Sequence, residues 1–257
     1  NNVILHVCGC IDTVVATQKG DILPQIELEV PPHVMQHYEE LLASDAYPPC
    51  HKIIPGLSRL TMTSWLSALQ TERLEQKTKA IAQRAEACNG SWEAAFFVTL
   101  ARNYGFGING DAFEQWAMCL PLQAVAHHRD NLFQVEAMFL GQAGLLNLDA
   151  ISACHRDEVL ADGYFSKLQH EYLYLKHKFG LNPIDHHLWR FLRLRPQNFP
   201  HIRIVQLARL YATGQISLSH VLDCQTVKEA MKCLKSCVTL YWQTHSSFGI
   251  SSEFSEK

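Results

Sequence analysis

The sequence predicts a mainly α-helical fold, in which a multi-helical domain is preceded by a small β-containing segment, the remnant of an α+β domain. Patterns typical of β-strands are confined to about the first thirty residues, and beyond them apolar residues recur at helical spacing. The chain has 257 residues, of which 47% are hydrophobic and 18% charged. This length and composition indicate a globular protein of one or two domains and exclude a disordered or fibrous chain.

The β-containing segment holds two apolar runs, residues 3–8 and 25–30, in which β-branched or alternating apolar side chains predict strands. The triplet Lys19-Gly20-Asp21 between them predicts a turn. Because a fold rarely begins in the middle of a strand, we also expect further residues upstream of Asn1.

A helix is predicted next, from the Pro31-Pro32 pair to about Ala43, since proline suits the first turn of a helix. The following stretch, residues 45–56, is rich in proline and ends in glycine, which predicts a linker. It divides the chain into a β-containing N-terminal segment with one helix, residues 1–56, and a helical domain, residues 57–257.

The helical domain begins with a long predicted helix over residues 63–88. Its expected buried stripe consists of Leu66, Leu74, Ile81, Ala85 and Cys88. Asn89-Gly90 is a typical helix end, and Ser91 caps a further helix that stops at Gly105. Apolar spacing predicts five more helices, over residues 112–120, 131–142, 163–179, 200–212 and 227–241.

Charge is distributed unevenly along the chain. The net charge of −3 gives no general reason to expect nucleic acid or an anionic membrane as a partner. Residues 164–214, however, contain eight basic and only two acidic side chains. This stretch carries +6 and leaves −9 to the rest of the chain, so any affinity for anions is expected here.

The richest part of the basic stretch is residues 189–203, in which arginines alternate with aromatic side chains. Guanidinium groups bind phosphates in a bidentate manner, and aromatic rings stack on bases. Arg190, Arg193, Arg195 and Arg203 are therefore candidates for nucleic-acid or phosphate binding. The alternative is that these arginines tie a proline-containing connection to neighbouring carbonyls and carboxylates.

A carboxylate is predicted inside the helical core, because Glu136 lies at the centre of the apolar face of its helix. A buried carboxylate requires a cationic partner or is held protonated with a raised pKa. Arg129 lies one position earlier along the same stripe, and Arg73 and Lys77 border the apolar face of the long helix. We interpret these four residues, with Asn198 of the arginine-rich segment, as a candidate buried polar network.

Metal-ligand spacing occurs twice in the N-terminal segment. His6, Cys8 and Cys10 share one strand face, and His33 and His37 share one helix face. Neither set is completed by a characteristic further ligand, so we predict no metal and no other cofactor within this sequence. A divalent metal fits only a region upstream of the chain.

Nine cysteines are scattered along the chain without a CxxC pair, which is typical of free thiols in a reducing compartment. The sequence contains no signal-peptide pattern and no apolar stretch of membrane-spanning length. We therefore expect a cytoplasmic protein without a membrane partner.

Several segments together resemble a known family. They include Ala101-Arg102-Asn103-Tyr104-Gly105-Phe106, His128-Arg129-Asp130-Asn131-Leu132-Phe133-Gln134 and Phe191-Leu192-Arg193-Leu194-Arg195-Pro196. With these segments the chain resembles the bacterial family called domain of unknown function 2851, over nearly its whole length. The family has no established activity. The resemblance implies a longer N-terminal part whose acidic residues lie on strands, as in nuclease folds of the restriction-endonuclease type.

Two hypotheses for the function follow. In the first, the chain is the helical C-terminal part of a nuclease-like protein, and the four arginines contribute to nucleic-acid binding. In the second, it is a non-enzymatic helical scaffold or protein-interaction module, in which the same arginines are buried against Glu136, Glu93 or Glu114. The reaction, if any, the substrate and the oligomeric state are not indicated by the sequence.

Overall fold

The fold was analysed in a computed structural model, which describes residues 4–16, 20–43 and 52–251. It is mainly α-helical, as the sequence predicts. The chain divides into two compact units, Asn1–Glu72 and Arg73–Lys257. The division lies inside a long helix rather than after Gly56, where the sequence pattern places it. Most of the predicted linker, residues 44–51, lies outside the described residues.

The first unit contains two short strands, β1 (His6–Cys8) and β2 (Gln25–Glu27), and the helix α1 (Pro32–Ala43). The strands pair in parallel, with Val7 opposite Ile26. An isolated antiparallel bridge joins Ala16 to Ile22 between them. Parallel neighbours cannot be joined by a two-residue turn, and this bridge lies in the longer connection between β1 and β2.

The first unit has an open apolar surface. None of its described residues is buried, and apolar side chains of both strands and of α1 are exposed. The unit ends in the first half of α2 (Arg59–Ala87), a helix that the sequence predicts to start four residues later, at residue 63.

The second unit is built from the remaining helices and a short antiparallel pair of strands. The helices are α3 (Trp92–Tyr104), α4 (Gly110–Cys119), α5 (Leu122–Ala126), α6 (Leu132–Gln142), α7 (Arg156–Asp162), α8 (Tyr164–Phe179), α9 (Pro200–Ala212), α10 (Leu218–Asp223), α11 (Val227–Cys233) and α12 (Leu240–Thr244). The strands are β3 (His245–Ser247) and β4 (Ile250–Ser251).

The core of this unit is centred on α6, whose residues from Val135 to Gln142 are all buried. Helices α8 and α9 both pack against it. Gly141 allows the closest approach, because a Cβ atom at this position would lie 2.1 Å from the ring of Tyr172 on α8. The tight packing of α6 holds Glu136 at a fixed place between its two neighbours.

Two predicted features of the helical domain are wrong. In α2 only Ala85 is buried, whereas Leu66 and Leu74 are 60% and 58% exposed. Helical spacing identifies an apolar face, but it does not establish that another element covers this face. The helix predicted over residues 227–241 ends at Cys233, since Ser236 bonds to the carbonyl of Gln206 and β-branched Val238 packs against the core.

Candidate functional site

The arginine-rich segment is fixed at its start by two buried residues. The indole of Trp189 donates to the carbonyl of Ala143 at 2.7 Å. Asn109, which is 2% exposed, exchanges two hydrogen bonds of 2.8 Å with the backbone of Arg190. These bonds hold the backbone of the segment on the core and leave the side chain of Arg190 exposed.

A tight turn follows Arg190. The amide of Leu194 donates to the carbonyl of Phe191 at 3.2 Å, and Arg193 at the third position has a φ of 66°. A positive φ at this position is typical of a type II turn, where glycine or asparagine is usual. Arg193 therefore holds a conformation that costs about 1 kcal/mol for a residue with a Cβ atom.

Three of the four predicted arginines point away from the core. Arg190, Arg193 and Arg195 are exposed, and in the part of the chain that the structure describes none of them takes part in an ion pair. Carboxylates of the described residues therefore do not neutralise their charges. We call these three residues the arginine surface.

Arg203 is in a different environment. It lies half-buried in the first turns of α9 and donates to the side chains of Asn198 and Gln206. Its guanidinium group also lies 4.5 Å from the ring centre of Phe106. Burial lowers the pKa of Arg203, and a coulombic interaction with Tyr104 opposes this shift. Arg203 thus ties the arginine-rich segment to neutral partners.

Phe106 is not among the residues predicted from the sequence. It lies between two glycines in the turn after α3, with a φ of 47° and 56% of its surface exposed. Asn109 directly precedes α4, and its side chain joins this turn to the backbone of Arg190. The signal in the sequence is an aromatic residue between two glycines in a chain reversal, where a ring outside the regular helices is left largely exposed.

Glu136 lies in the core on α6 and is 2% exposed. The phenol of Tyr164 on α8 donates to its Oε2 atom at 2.6 Å, whereas Oε1 has no hydrogen-bond partner among the described residues. Burial raises the pKa of Glu136. This rise in pKa is opposed by Tyr164, Thr239 and Arg209. The hydroxyl of Thr239 makes no hydrogen bond of ordinary geometry with a described residue. Burial likewise raises the pKa of Tyr164.

A cavity of about 440 Å³ lies beside Glu136. Its lining consists of Leu132, Phe133, Glu136, Tyr164, Arg209, Thr239, Leu240 and Tyr241. Glu136 and Arg209 line the same cavity, but they do not form an ion pair with each other. The cavity therefore has mainly apolar and aromatic walls with Arg209 among them, and only 2% of the surface of Glu136 is exposed.

The partners predicted for Glu136 are wrong. Arg73 and Lys77 are exposed on α2 and make no contact with it in the described structure, because the apolar face of α2 beside them is itself uncovered. Arg129 donates to the carbonyl of Tyr211 at 2.8 Å, at the end of α9, where the helix dipole favours a cation. Asn198 bonds to Arg203 instead of joining Glu136.

The main ion-pair network of the second unit involves other residues. Arg84 donates to Glu114 at 2.6 Å, and Arg102 binds both Glu114 and Asp111. The hydrogen bond from Arg84 is the largest cause that lowers the pKa of Glu114. This network joins α2, α3 and α4, so Glu114 is not available to the arginine-rich segment.

The metal-ligand patterns of the N-terminal segment are not assembled into a site in the described structure. The Nδ1 atom of His6 lies 3.2 Å from the side-chain nitrogen of Gln25, and Cys10 is exposed. His33 and His37 contact each other edge to face. Among the described residues, metal-ligating atoms cluster in Asp185-His186-His187, where Asp185 accepts two hydrogen bonds from His187.

Every cysteine that the structure describes is a free thiol. Within the described ranges, no helix combines the length and the apolar character that a membrane crossing requires.

Comparison with known proteins identifies a family but no characterised relative. No curated protein and no solved structure shows significant similarity to the chain. A family model described as "Protein of unknown function (DUF2851)" matches residues 1–257. The match adds nothing to the expectation of further upstream residues, which stays a prediction. Because it covers every residue of the sequence, the chain belongs to this family of unknown function.

Proposed function

We propose that this protein binds the phosphate backbone of nucleic acid through its arginine surface, as the helical part of a cytoplasmic nuclease-like protein. The observation that carries the proposal is the exposure of Arg190, Arg193 and Arg195 within six residues of chain, without carboxylate partners among the residues that the structure describes. Guanidinium groups match phosphate geometry in a bidentate manner, and neutralising phosphates releases counterions.

Two local features support a binding role over a purely structural one. Arg193 holds a positive φ, and strained backbone of this kind clusters at functional sites. The exposed ring of Phe106 lies beside Arg203, which is hydrogen-bonded to Asn198 at the end of the same segment. An exposed ring offers a stacking surface for an unpaired base, which favours single-stranded nucleic acid as the ligand.

The scaffold alternative requires the arginines to be buried against Glu136, Glu93 or Glu114. Glu93 accepts from the backbone amide of Leu218, and Glu114 is bound by arginines of α2 and α3. Of the four candidates, Arg203 alone is tied inside the fold, and its hydrogen-bond partners are neutral. These contacts therefore support the scaffold hypothesis less than they support phosphate binding.

The experiment is a fluorescence-anisotropy titration of the protein with a labelled single-stranded oligonucleotide of about 20 nucleotides, over a range of salt concentrations. We expect binding that weakens steeply with salt. Changing Arg190, Arg193 and Arg195 to glutamine should reduce the slope of log K against log salt by about two, since each lost phosphate contact removes about 0.7 for single strands.

The matched control removes the same charge elsewhere, by changing Arg73, Lys77 and Lys79 to glutamine. These residues are exposed on α2, so the control keeps the core intact. It should leave the slope nearly unchanged. Absence of binding by the unaltered protein at low salt, or an equal loss in both triple variants, contradicts the proposal.

A further inference from the structure

The connection between α8 and the arginine-rich segment brings three potential metal ligands together. Asp185, His186 and His187 each offer one ligand atom, and these three atoms lie within 4.8 Å of one another. The two imidazole rings are neighbours in this turn, with their centres 4.0 Å apart. None of the three residues belongs to the arginine surface, so the two sites can be tested separately.

The imidazoles converge on one oxygen of the carboxylate. The Oδ1 atom of Asp185 lies 2.8 Å from Nδ1 of His187 and 3.7 Å from Nδ1 of His186. A metal ion that binds each donor atom at about 2.0–2.2 Å holds its donors roughly 3–3.6 Å apart. The two measured separations bracket this range. Small rotations of the side chains therefore suffice to place all three donors around one ion.

The backbone of this turn is held on the core at both ends. Before the cluster, the amide of Ile184 donates to the carbonyl of Gln142 at 2.9 Å, and after it the indole of Trp189 donates to the carbonyl of Ala143 at 2.7 Å. Gly144 allows the close approach, because a Cβ atom there would lie 2.5 Å from the carbonyl oxygen of Ile184. A fixed backbone lowers the entropy that is lost when side chains are ordered around a ligand.

The donor atoms are accessible from solvent. The side chains of Asp185 and His187 are 65% and 74% exposed, and that of His186 is 19% exposed. The carboxylate accepts from Nδ1 of His187 at 2.8 Å, so a ring proton now lies between the two groups. A metal ion would take the place of this proton, since neutral imidazole and ionised carboxylate are both metal ligands.

We propose that Asp185, His186 and His187 bind a divalent transition-metal ion, such as Zn²⁺ or Ni²⁺, through one carboxylate oxygen and two imidazole nitrogens. Water fills the remaining coordination positions. Two nitrogen donors favour these ions over Mg²⁺ and Ca²⁺, which take oxygen ligands. The proposal differs from the sequence-based expectation of no metal, because the geometry of the turn and not a spacing pattern brings the donors together.

The test is isothermal titration calorimetry of the full chain, without a histidine tag, with Ni²⁺ and with Mg²⁺. We expect one Ni²⁺ per chain at this site and no heat with Mg²⁺. Because the protein also carries free thiols, a second titration uses Co²⁺, whose absorption spectrum distinguishes the ligands. Binding here should lack the intense near-ultraviolet band that thiolate ligands give.

Two variants assign the ligands. Asp185→Asn should weaken Ni²⁺ binding by about tenfold or more, since the loss even of a group that orients a metal ligand typically costs roughly 10–100-fold. The double change His186→Gln and His187→Gln should abolish it. The control, His127→Gln, alters an exposed histidine of the other adjacent pair, His127-His128, and should leave Ni²⁺ binding unchanged.

Ni²⁺ binding that is lost in the double histidine variant, weakened in Asp185→Asn and kept in His127→Gln supports the proposal. Absence of Ni²⁺ binding by the unaltered protein overturns it, and so does binding that the double variant leaves intact. Co²⁺ binding with a thiolate band alone overturns it as well. None of these results bears on nucleic-acid binding by the arginine surface.

Discussion

In the described part of the chain, the arginine surface lacks ion-pair partners and the interior around α6 holds polar atoms without hydrogen bonds, but the consequences differ. Arg190, Arg193 and Arg195 face water, which solvates their charges at little cost. Glu136 and His201 are buried, and each has a polar atom without a hydrogen bond among the described residues. Changes at the interior should therefore alter the free energy of unfolding, whereas changes at the arginine surface should alter binding alone.

The largest effect on stability is expected at Gly141. A Cβ atom there would meet three ring carbons of Tyr172 at 2.1–2.4 Å, and neither α6 nor α8 can withdraw from the packed core. Gly141→Ala should reduce the free energy of unfolding by about 3 kcal/mol or more, measured by urea denaturation. Gly56→Ala is the control, because no atom lies within 4 Å of a Cβ built there. Equal loss in both variants would contradict this account of the core.

The next effect concerns His201, whose pKa is lowered to about 3 by burial. In the unfolded chain the imidazole takes up a proton near its ordinary pKa of 6.5, while in the folded protein it stays neutral. Stability is therefore lost as pH falls below 6.5, by about 1.4 kcal/mol per pH unit and by about 2 kcal/mol at pH 5.

The measurement compares urea denaturation of the unaltered protein and of His201→Phe at about pH 7 and pH 5. The phenylalanine variant should lack this part of the pH dependence, because its ring does not titrate and still packs against Trp242 and Phe248. His177→Gln, at an exposed position of α8, should keep it. Identical profiles of the unaltered protein and His201→Phe would show that the imidazole is not excluded from water.

A smaller effect of opposite sign is expected at Glu136. Burial raises the pKa of its carboxyl group, so the folded protein holds the proton more tightly than the unfolded chain. The contribution of this group to stability is present at low pH and is lost as pH rises from the ordinary value of 4.5 through the raised pKa. The hydrogen bond from Tyr164 and the charge of Arg209 limit the loss.

This effect is measured as the difference in free energy of unfolding between the unaltered protein and Glu136→Gln across the same pH range. The difference should shift in favour of the glutamine variant as pH rises, because glutamine does not ionise. A difference that is independent of pH would mean that Glu136 has a similar pKa in the folded and unfolded chains.

Local sequence signals predicted the ends of several helices correctly. Ser91, the predicted cap, accepts a hydrogen bond from the amide of Ala94. The helix predicted from residue 131 starts at Leu132, and Asn131 caps it by accepting from the amide of Gln134. Such signals work because the bond joins residues three positions apart. The central place of Glu136 on an apolar helix face likewise follows from spacing within a single helix.

Contacts between distant segments could not be predicted in the same way. The partner of Glu136 is Tyr164, 28 positions away, and the residue that holds Arg190 is Asn109, 81 positions away. Neither pairing leaves a periodic trace in the sequence. Charge and a place on the same helix stripe suggested Arg129 for Glu136, but a phenol and a raised pKa meet the cost of a buried carboxyl group without a cation.

The smallest change in stability is expected at Arg193, where the contrast between the two regions is tested most directly. Arg193→Gly removes the strain of a positive φ, about 1 kcal/mol, but adds a similar entropy to the unfolded chain, so the free energy of unfolding should change by less than about 0.5 kcal/mol. The same variant should weaken oligonucleotide binding and lower its salt dependence by about one phosphate contact.

Arg193→Lys separates charge from backbone conformation at this position. Lysine keeps the positive charge and, like arginine, accepts the positive φ at a cost, so its stability should match that of the unaltered protein and most of the salt dependence should remain. Because lysine cannot bind a phosphate in a bidentate manner, some affinity should still be lost. If Arg193→Gly instead destabilises the fold by several kcal/mol, Arg193 contributes to the core, and the division between a binding surface and a structural interior fails at this residue.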